Sequence, residues 1–301
     1  MRGQGRSVVR CGPRSLSRGR RTGVRVALPL VLLLALGACD RQQPGEPVSR
    51  SEIGGKALDT PSPAPSASEK PTPQRASACE AVEFEGVQLT HCVADPAKHR
   101  IRTALSPKDG APYRSFAALA KALGSETSRV AFAMNGGMFD GEGKPIGYYV
   151  QNGERLHELN TAEGDGNFHM LPNGVFFGTG AKWRVMATPQ FYATVGDRPK
   201  FGTQSGPMLV IDGKLHPEIQ DDGPSIRIRN GVGVDAKGRA HFVISEMPLS
   251  FGKFARYFRD ELKTPNALYL DGSVSALWDP AANRRDSGAS IGPILLVEDK
   301  E

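Results

Sequence analysis

The chain has 301 residues, four cysteines, 39% apolar residues and a formal net charge of +6. The charge does not support a nucleic-acid partner, because residues 1–38 hold eight arginines and no acid, and +6 less eight leaves −2 for the remainder. No internal repeat interrupts the composition.

From the amino end, arginines at positions 2, 6, 10, 14, 18, 20, 21 and 25 precede a thirteen-residue apolar run, Val26 to Ala38. A spanning helix needs about 20 apolar residues, so this run reads as the h-region of an export signal. It ends in Leu36-Gly37-Ala38-Cys39, which resembles a bacterial lipobox. Residues 1–38 are therefore expected to be a lipoprotein signal peptide, with Cys39 lipidated. The rest of the chain would be exported and anchored to the cell membrane or outer membrane, facing the periplasm or exterior. An ordinary secretory signal is the alternative.

Residues 39–77 are rich in Pro, Ser, Glu and Ala and poor in large apolar side chains. Such a stretch cannot bury enough surface to offset its ordering entropy, and it is expected to be a disordered tether. Residues 78–301 have globular composition and suit one domain. With Cys11 in the leader and Cys39 lipidated, Cys79 and Cys92 form an even pair in an oxidising compartment. A disulfide is the expectation, and free thiols or a metal site the alternatives. A crosslink closing a loop of that size contributes roughly 3 kcal/mol.

The pair flanks an expected hairpin, Val82 to Glu85 and Val87 to Thr90, bent at Gly86. A helix is expected over Tyr113 to Leu123, with Phe116, Leu119, Ala120 and Leu123 on one face. A buried strand follows from Arg129 to Met134. Tyr148–Val150 and Arg155–His157 face each other across Asn152-Gly153, a strong hairpin signal. Strands are also expected at Val175–Phe177, Met208–Ile211, Ser225–Asp235, Ala240–Ser245 and Ala267–Leu270. A second helix, Phe251 to Leu262, lies between the last two and predicts a β-α-β crossover. The class is α+β: one mixed-sheet domain with many short strands and two main helices.

Four segments carry polar or glycine residues that folding alone does not require. In Asn135-Gly136-Gly137 the backbone can approach a ligand and present N–H groups, although a tight turn is the plainer reading. Gln204-Ser205-Gly206-Pro207 is a polar turn entering an apolar strand. Along an extended segment Arg227 and Arg229 share one face, where two guanidiniums can grip a phosphate or carboxylate, or form a solvated outer face. Finally, Asp271 ends an apolar strand and is followed by Gly272, Ser273 and Ser275. That is a common place for a catalytic acid, and Asp-Gly is also a common turn.

The order of these segments resembles the phosphodiester glycosidase family, which includes the lysosomal uncovering enzyme. The carrying residues are Asn135-Gly136-Gly137-Met138-Phe139, Gly206-Pro207-Met208-Leu209, Arg229 to Gly233, and Leu270-Asp271-Gly272-Ser273-Val274-Ser275. Ser273 stands where the family pattern has a second glycine, which points to a bacterial subgroup. The resemblance implies hydrolysis of a sugar-1-phosphodiester in envelope or extracellular glycans. It assigns catalytic roles to Asp271, Arg229 and Asn135, and pocket roles to Gly136, Gly137, Gln204, Ser205, Arg227, Glu246, Gly272, Ser273 and Ser275. A phosphomonoester leaves more readily than an alkoxide, so one carboxylate suffices where ordinary glycosidases use two. The partners implied are a phosphorylated glycan or sugar-phosphodiester and, through Cys39, a membrane. No cofactor is identified; a divalent metal ion is left open, since the six histidines are scattered. The other readings are a non-catalytic module binding phosphorylated glycans or a surface protein, and a transferase of polysaccharide assembly.

Overall fold

The computed structural model describes residues 75–195 and 199–300. The expected signal peptide, Cys39 and nearly all of the expected tether lie outside the described residues. Among the described residues no helix is long and apolar enough to cross a membrane.

Three sheets build the domain. The largest has seven strands in the order Cys79–Phe84, Val87–Ala94, Ala240–Ser245, Asn230–Val234, Asn266–Tyr269, Met208–Ile211 and Lys214–Leu215. A five-stranded sheet runs Arg284–Arg285, Leu277–Asp279, Val130–Asn135, Ile294–Asp299 and His99–Ala104. The other five-stranded sheet runs Glu154–His157, Tyr149–Gln151, Phe201–Ser205, Gly174–Thr179 and Lys182–Ala187. All direct pairings are antiparallel. Strands 240–245 and 266–269 both pair antiparallel with 230–234 between them, so they are parallel to each other. The helical stretch after Ser250 is the predicted crossover, passing over one strand rather than joining neighbours.

The inner faces of the three sheets meet in one apolar core. Phe242 touches Phe132 from the second sheet and Phe176 from the third, with ring centroids 5.2 and 5.7 Å apart. Each outer face has its own cover, so each sheet is buried on both sides. The Phe116–Leu123 helix, N-capped by the Ser115 hydroxyl, packs Phe116 and Leu119 against Ala133 and Leu296. Phe254 and Phe258 cover Val243 and Ala267. The Thr188–Thr194 helix packs Phe191 against Val175 and Phe177. Burial on both faces explains why Val130–Asn135 reads as a continuous apolar run instead of alternating.

Several expectations shift. The second helix is regular only over Phe251–Arg256 and continues as a π-turn, Tyr257–Glu261. The Thr188–Thr194 helix was not expected, although Thr188-Pro189 is a common way to begin one. The Asn152-Gly153 turn forms as read, with both φ angles positive (55° and 81°). Cys79 and Cys92 oppose each other in the first hairpin and are joined by a disulfide.

A buried chain of titratable groups crosses the large sheet next to that disulfide. His91 Nε2 lies 2.9 Å from His241 Nδ1, and His241 Nε2 lies 3.2 Å from Asp235 Oδ2, which also accepts from Arg239. Burial, and then the neighbouring charges, hold His91 well below the ordinary histidine range, at about 4, and His241 is lowered by burial as well. The unfolded chain therefore binds more protons than the fold as pH drops below about 6.5, and stability falls over that range. Denaturant titrations between pH 7 and 4.5 should show this loss, and His91→Gln should make the slope shallower.

Candidate active site

The strand Val130–Asn135 delivers Asn135 to the rim where the sheets meet, and the Asn135 side chain is almost wholly buried. Its Nδ2 donates to the Asp271 carbonyl (2.7 Å), while its Oδ1 accepts from Asn230 Nδ2 and from Ala276 N–H (both 2.9 Å). Asn230 is in turn held by the Ser275 hydroxyl, which donates to Asn230 Oδ1 (3.1 Å). The two glycines that follow are equally committed. Gly136 N–H donates to Pro293 O and Gly137 N–H to Thr203 Oγ1, and the Gly136 carbonyl accepts from Asp271 N–H. A Cβ on Gly137 would stand 2.1 Å from the Gln204 carbonyl, so the position requires glycine. The expectation that these N–H groups face a ligand is corrected, because they bind the domain's own backbone and side chains.

Asp271 is 8% exposed and caps the short turn Gly272–Val274. Its Oδ1 accepts from both Ser273 N–H (3.1 Å) and Ser273 Oγ (2.5 Å), while Oδ2 receives no hydrogen bond among the described residues. Burial raises its pKa above the usual carboxylate range, with the Ser273 donors opposing the shift. A carboxyl raised in this way is a better proton acceptor once ionised.

Arg229 is completely buried. Its guanidinium lies over the Phe251 ring, 3.5 Å from the centroid, with Tyr269 beyond at 5.4 Å. Nε donates to Leu249 O (3.1 Å), and Nη2 donates to Ser225 O (2.6 Å) and Oγ (3.0 Å). No carboxylate among the described residues forms an ion pair with it. Burial lowers its pKa, with the nearby Tyr269 opposing the shift. Arginine nonetheless stays protonated in proteins, so a full positive charge sits uncompensated beneath the site.

The segment from Ser225 to Ile228 separates two clefts. One, of about 250 Å³, is lined by Ile228, Phe116, Ser273, Ser275 and Asp286, among others. The other, of about 240 Å³, is lined by Ser225, Phe251, Met170 and Glu218 among others. Arg229 is tied to Ser225, and Asp271 does not itself line the first cleft but directly precedes Gly272 and Ser273, which do. No group of three or more His, Cys, Asp or Glu side chains among the described residues is arranged to hold a metal ion.

The family pattern of phosphodiester glycosidases matches residues 128–297. The chain belongs to the phosphodiester glycosidase family. Over 184 residues it is 35% identical to the uncharacterized protein YigE of Escherichia coli (strain K12), covering 61% of this chain and 71% of that one. The fold is similar to the catalytic domain of zebrafish N-acetylglucosamine-1-phosphodiester alpha-N-acetylglucosaminidase, which was solved auto-inhibited by its pro-peptide. The TM-score is 0.51 at 13% identity, over 74% of this chain and 82% of that chain.

The arrangement brings Asn135, Gly136, Asp271, Gly272, Ser273 and Ser275 together, and it separates others. Arg227 does not share a face with Arg229: the strand starts only at Asn230, and Arg227 is exposed, its Nη1 donating to Ile226 O. The two guanidiniums therefore sit in different surroundings, Arg227 in solvent and Arg229 wholly buried, although Arg227 is near enough for its charge to act on Arg229. Glu246 points elsewhere, accepting from Thr90 and Arg284. The Gln204 amide is fully occupied, accepting from Tyr148 and Asn160 N–H and donating to Asn160 O, so it staples loops and does not line a pocket. Ser205 Oγ is buried without a partner. The residues that sequence reading passed over are Asn230, Ser225, Phe251 and Tyr269. Asn230, next to Arg229, carried the only signal, a polar residue at the start of an apolar strand.

Two outcomes follow. Asn135→Ala orphans the buried Ala276 N–H, at about 1–3 kcal/mol, and removes one bond each from the Asp271 carbonyl and the Asn230 amide, so calorimetry should show a clear fall in Tm. Asp271→Asn should act in the opposite sense. A carboxyl whose pKa is raised by folding leaves the folded state binding more protons than the unfolded one over the interval between the two values, so ionisation at neutral pH costs stability. The asparagine variant should melt higher than the wild type at pH 7 and at the same temperature at pH 3.

Proposed function

We propose that this protein hydrolyses a sugar-1-phosphodiester, releasing free sugar and a phosphomonoester. Family membership supports the general glycosidase-type role. The observation that carries the finer reading is Arg229, a buried cation with no carboxylate partner among the described residues. It stands directly before the strand that pairs with the one leading to Asp271, a carboxylate whose pKa is raised. A fixed positive charge without an internal counter-ion favours an anionic guest such as a phosphate.

In this reading Asp271 accepts a proton from a water molecule as that water attacks the anomeric carbon. The bond between that carbon and the phosphate oxygen breaks, and the electron pair leaves with the phosphomonoester. The charge developing on the phosphate lies in the field of Arg229, so the leaving oxygen has little need of a second carboxylic acid. Asn135 and Asn230 hold the Asp271 loop in place, while Ser275 braces Asn230 and also lines the first cleft. The export signal, the lipid on Cys39 and the 39–77 tether would place this chemistry outside the cytoplasm, on envelope glycans.

The test is a panel of sugar-1-phosphodiesters assayed for free sugar. The wild type should release sugar from at least one member, and Asp271→Asn should lower kcat by 10³-fold or more without loss of folding. An unchanged rate in that variant would remove Asp271 from the chemistry. Binding of the panel with no release would instead favour a non-catalytic glycan-binding module.

A further inference from the structure

Ser273 is where the buried carboxylate and the first cleft meet. Asp271 is 8% exposed and does not line that cleft, whereas Ser273 is exposed and does. The two residues are joined twice. Ser273 N–H donates to Asp271 Oδ1 at 3.1 Å, and the Ser273 hydroxyl donates to the same oxygen at 2.5 Å. The N–H bond already caps the Gly272–Val274 turn, so the turn does not require the hydroxyl.

A hydroxyl has one proton and two lone pairs. The Ser273 proton is committed to Asp271, and no donor among the described residues reaches its Oγ. Toward the cleft Ser273 therefore acts only as an acceptor. The Ser275 proton is spent inward as well, on Asn230 Oδ1 (3.1 Å) and Gly272 O (3.2 Å). Asp286 also lines the cleft, but Arg284 grips both of its oxygens (3.0 and 2.9 Å) and Leu277 N–H donates to Oδ2. A carboxylate held by a two-point ion pair is a poor base. Asp271 has no such partner, and burial raises its pKa while the Ser273 donors oppose the shift. Its Oδ2 is free of donors, yet it belongs to a side chain outside the cleft wall. A water molecule in the cleft thus meets the basic carboxylate by way of Ser273 Oγ.

We infer that Ser273 is a further catalytic residue, one that relays a proton from the attacking water to Asp271. The water oxygen bonds to the anomeric carbon as the bond from that carbon to the phosphate oxygen breaks. The electron pair of the broken bond leaves with the phosphomonoester. The water proton passes to Ser273 Oγ while the Ser273 proton passes to Asp271 Oδ1, so the serine ends neutral and the carboxyl protonated. Loss of that proton to solvent restores the carboxylate. The relay deepens the hydrolytic reading and rests on it.

Ser273→Ala removes the hydroxyl and keeps the main-chain cap. Sugar release from the active panel member is followed in single turnover with the full chain, in mixtures of light and heavy water. The wild-type rate should bow downward with deuterium fraction, because two protons move in the same step. Ser273→Ala should lower the rate by roughly 10²-fold and give a straight line, with a Tm close to that of the wild type. Ser273→Thr, which keeps a hydroxyl, should retain most of the rate and the curvature. Should Ser273→Ala unfold, Ser273→Gly removes the same hydroxyl and is read in its place. A straight wild-type plot would overturn the relay, as would a hydroxyl-free variant that keeps the wild-type rate. Such a rate beside an inactive Asp271→Asn sinks the relay alone and leaves the hydrolytic reading standing. A wild type that releases no sugar from any panel member removes both.

Discussion

One side-chain amide holds the site together. Asn135 bonds to the Asp271 carbonyl, to the Asn230 side chain and to the Ala276 backbone, and so joins segments carried by two different sheets. An amide suits this position because it presents a donor and an acceptor in fixed opposition on a short stem. Aspartate could not donate to a carbonyl there, and leucine could do neither. Everything the site does depends on the Asp271 turn staying where this bond puts it.

Around that fixed point the domain retains two charges it does not neutralise. Asp271 and Arg229 are both desolvated, and neither is paired with the other. Contrast Glu298, which is fully buried but receives Arg100 and Arg102 and is held below the usual carboxylate range despite its burial. The second arrangement is structural, with opposite charges satisfied inside the protein. The first leaves electrostatic work undone, which is how a binding site differs from a well-satisfied core. Tyr269 and Phe251 let it persist, giving the guanidinium aromatic faces where an acid would otherwise be needed.

The parts of this molecule legible in its sequence are those governed by local rules. The Asn152-Gly153 and Glu85-Gly86 turns, the amphipathic stripe of Phe116 and Leu119, and the crossover after Ser245 follow from short-range pattern. Ile294–Asp299 is not legible because a short apolar run buried on both faces lacks a distinguishing period, and Phe201–Ser205 because its three polar residues read as a turn. At the site, motif order pointed to Asp271 and Arg229. It misjudged what the neighbours do, because the hydrogen-bond partners of Gly136, Gly137 and Gln204 come from distant loops. The alternation rule failed at Arg227 because it assumes an unbroken strand, and the strand begins only at Asn230.

The position of the last strand has a consequence for the timing of folding. Ile294–Asp299 is not an edge strand; it lies between Val130–Asn135 and His99–Ala104. The residue just before it, Pro293, supplies the carbonyl that anchors Gly136. A chain emerging amino end first thus lacks the centre of one sheet, and the carbonyl that anchors Gly136, until residues 293–299 are available. Contacts spanning so much of the chain form late and together. That sheet, and with it the support of the Asn135-Gly136 turn, closes only after residues 293–299 have been made.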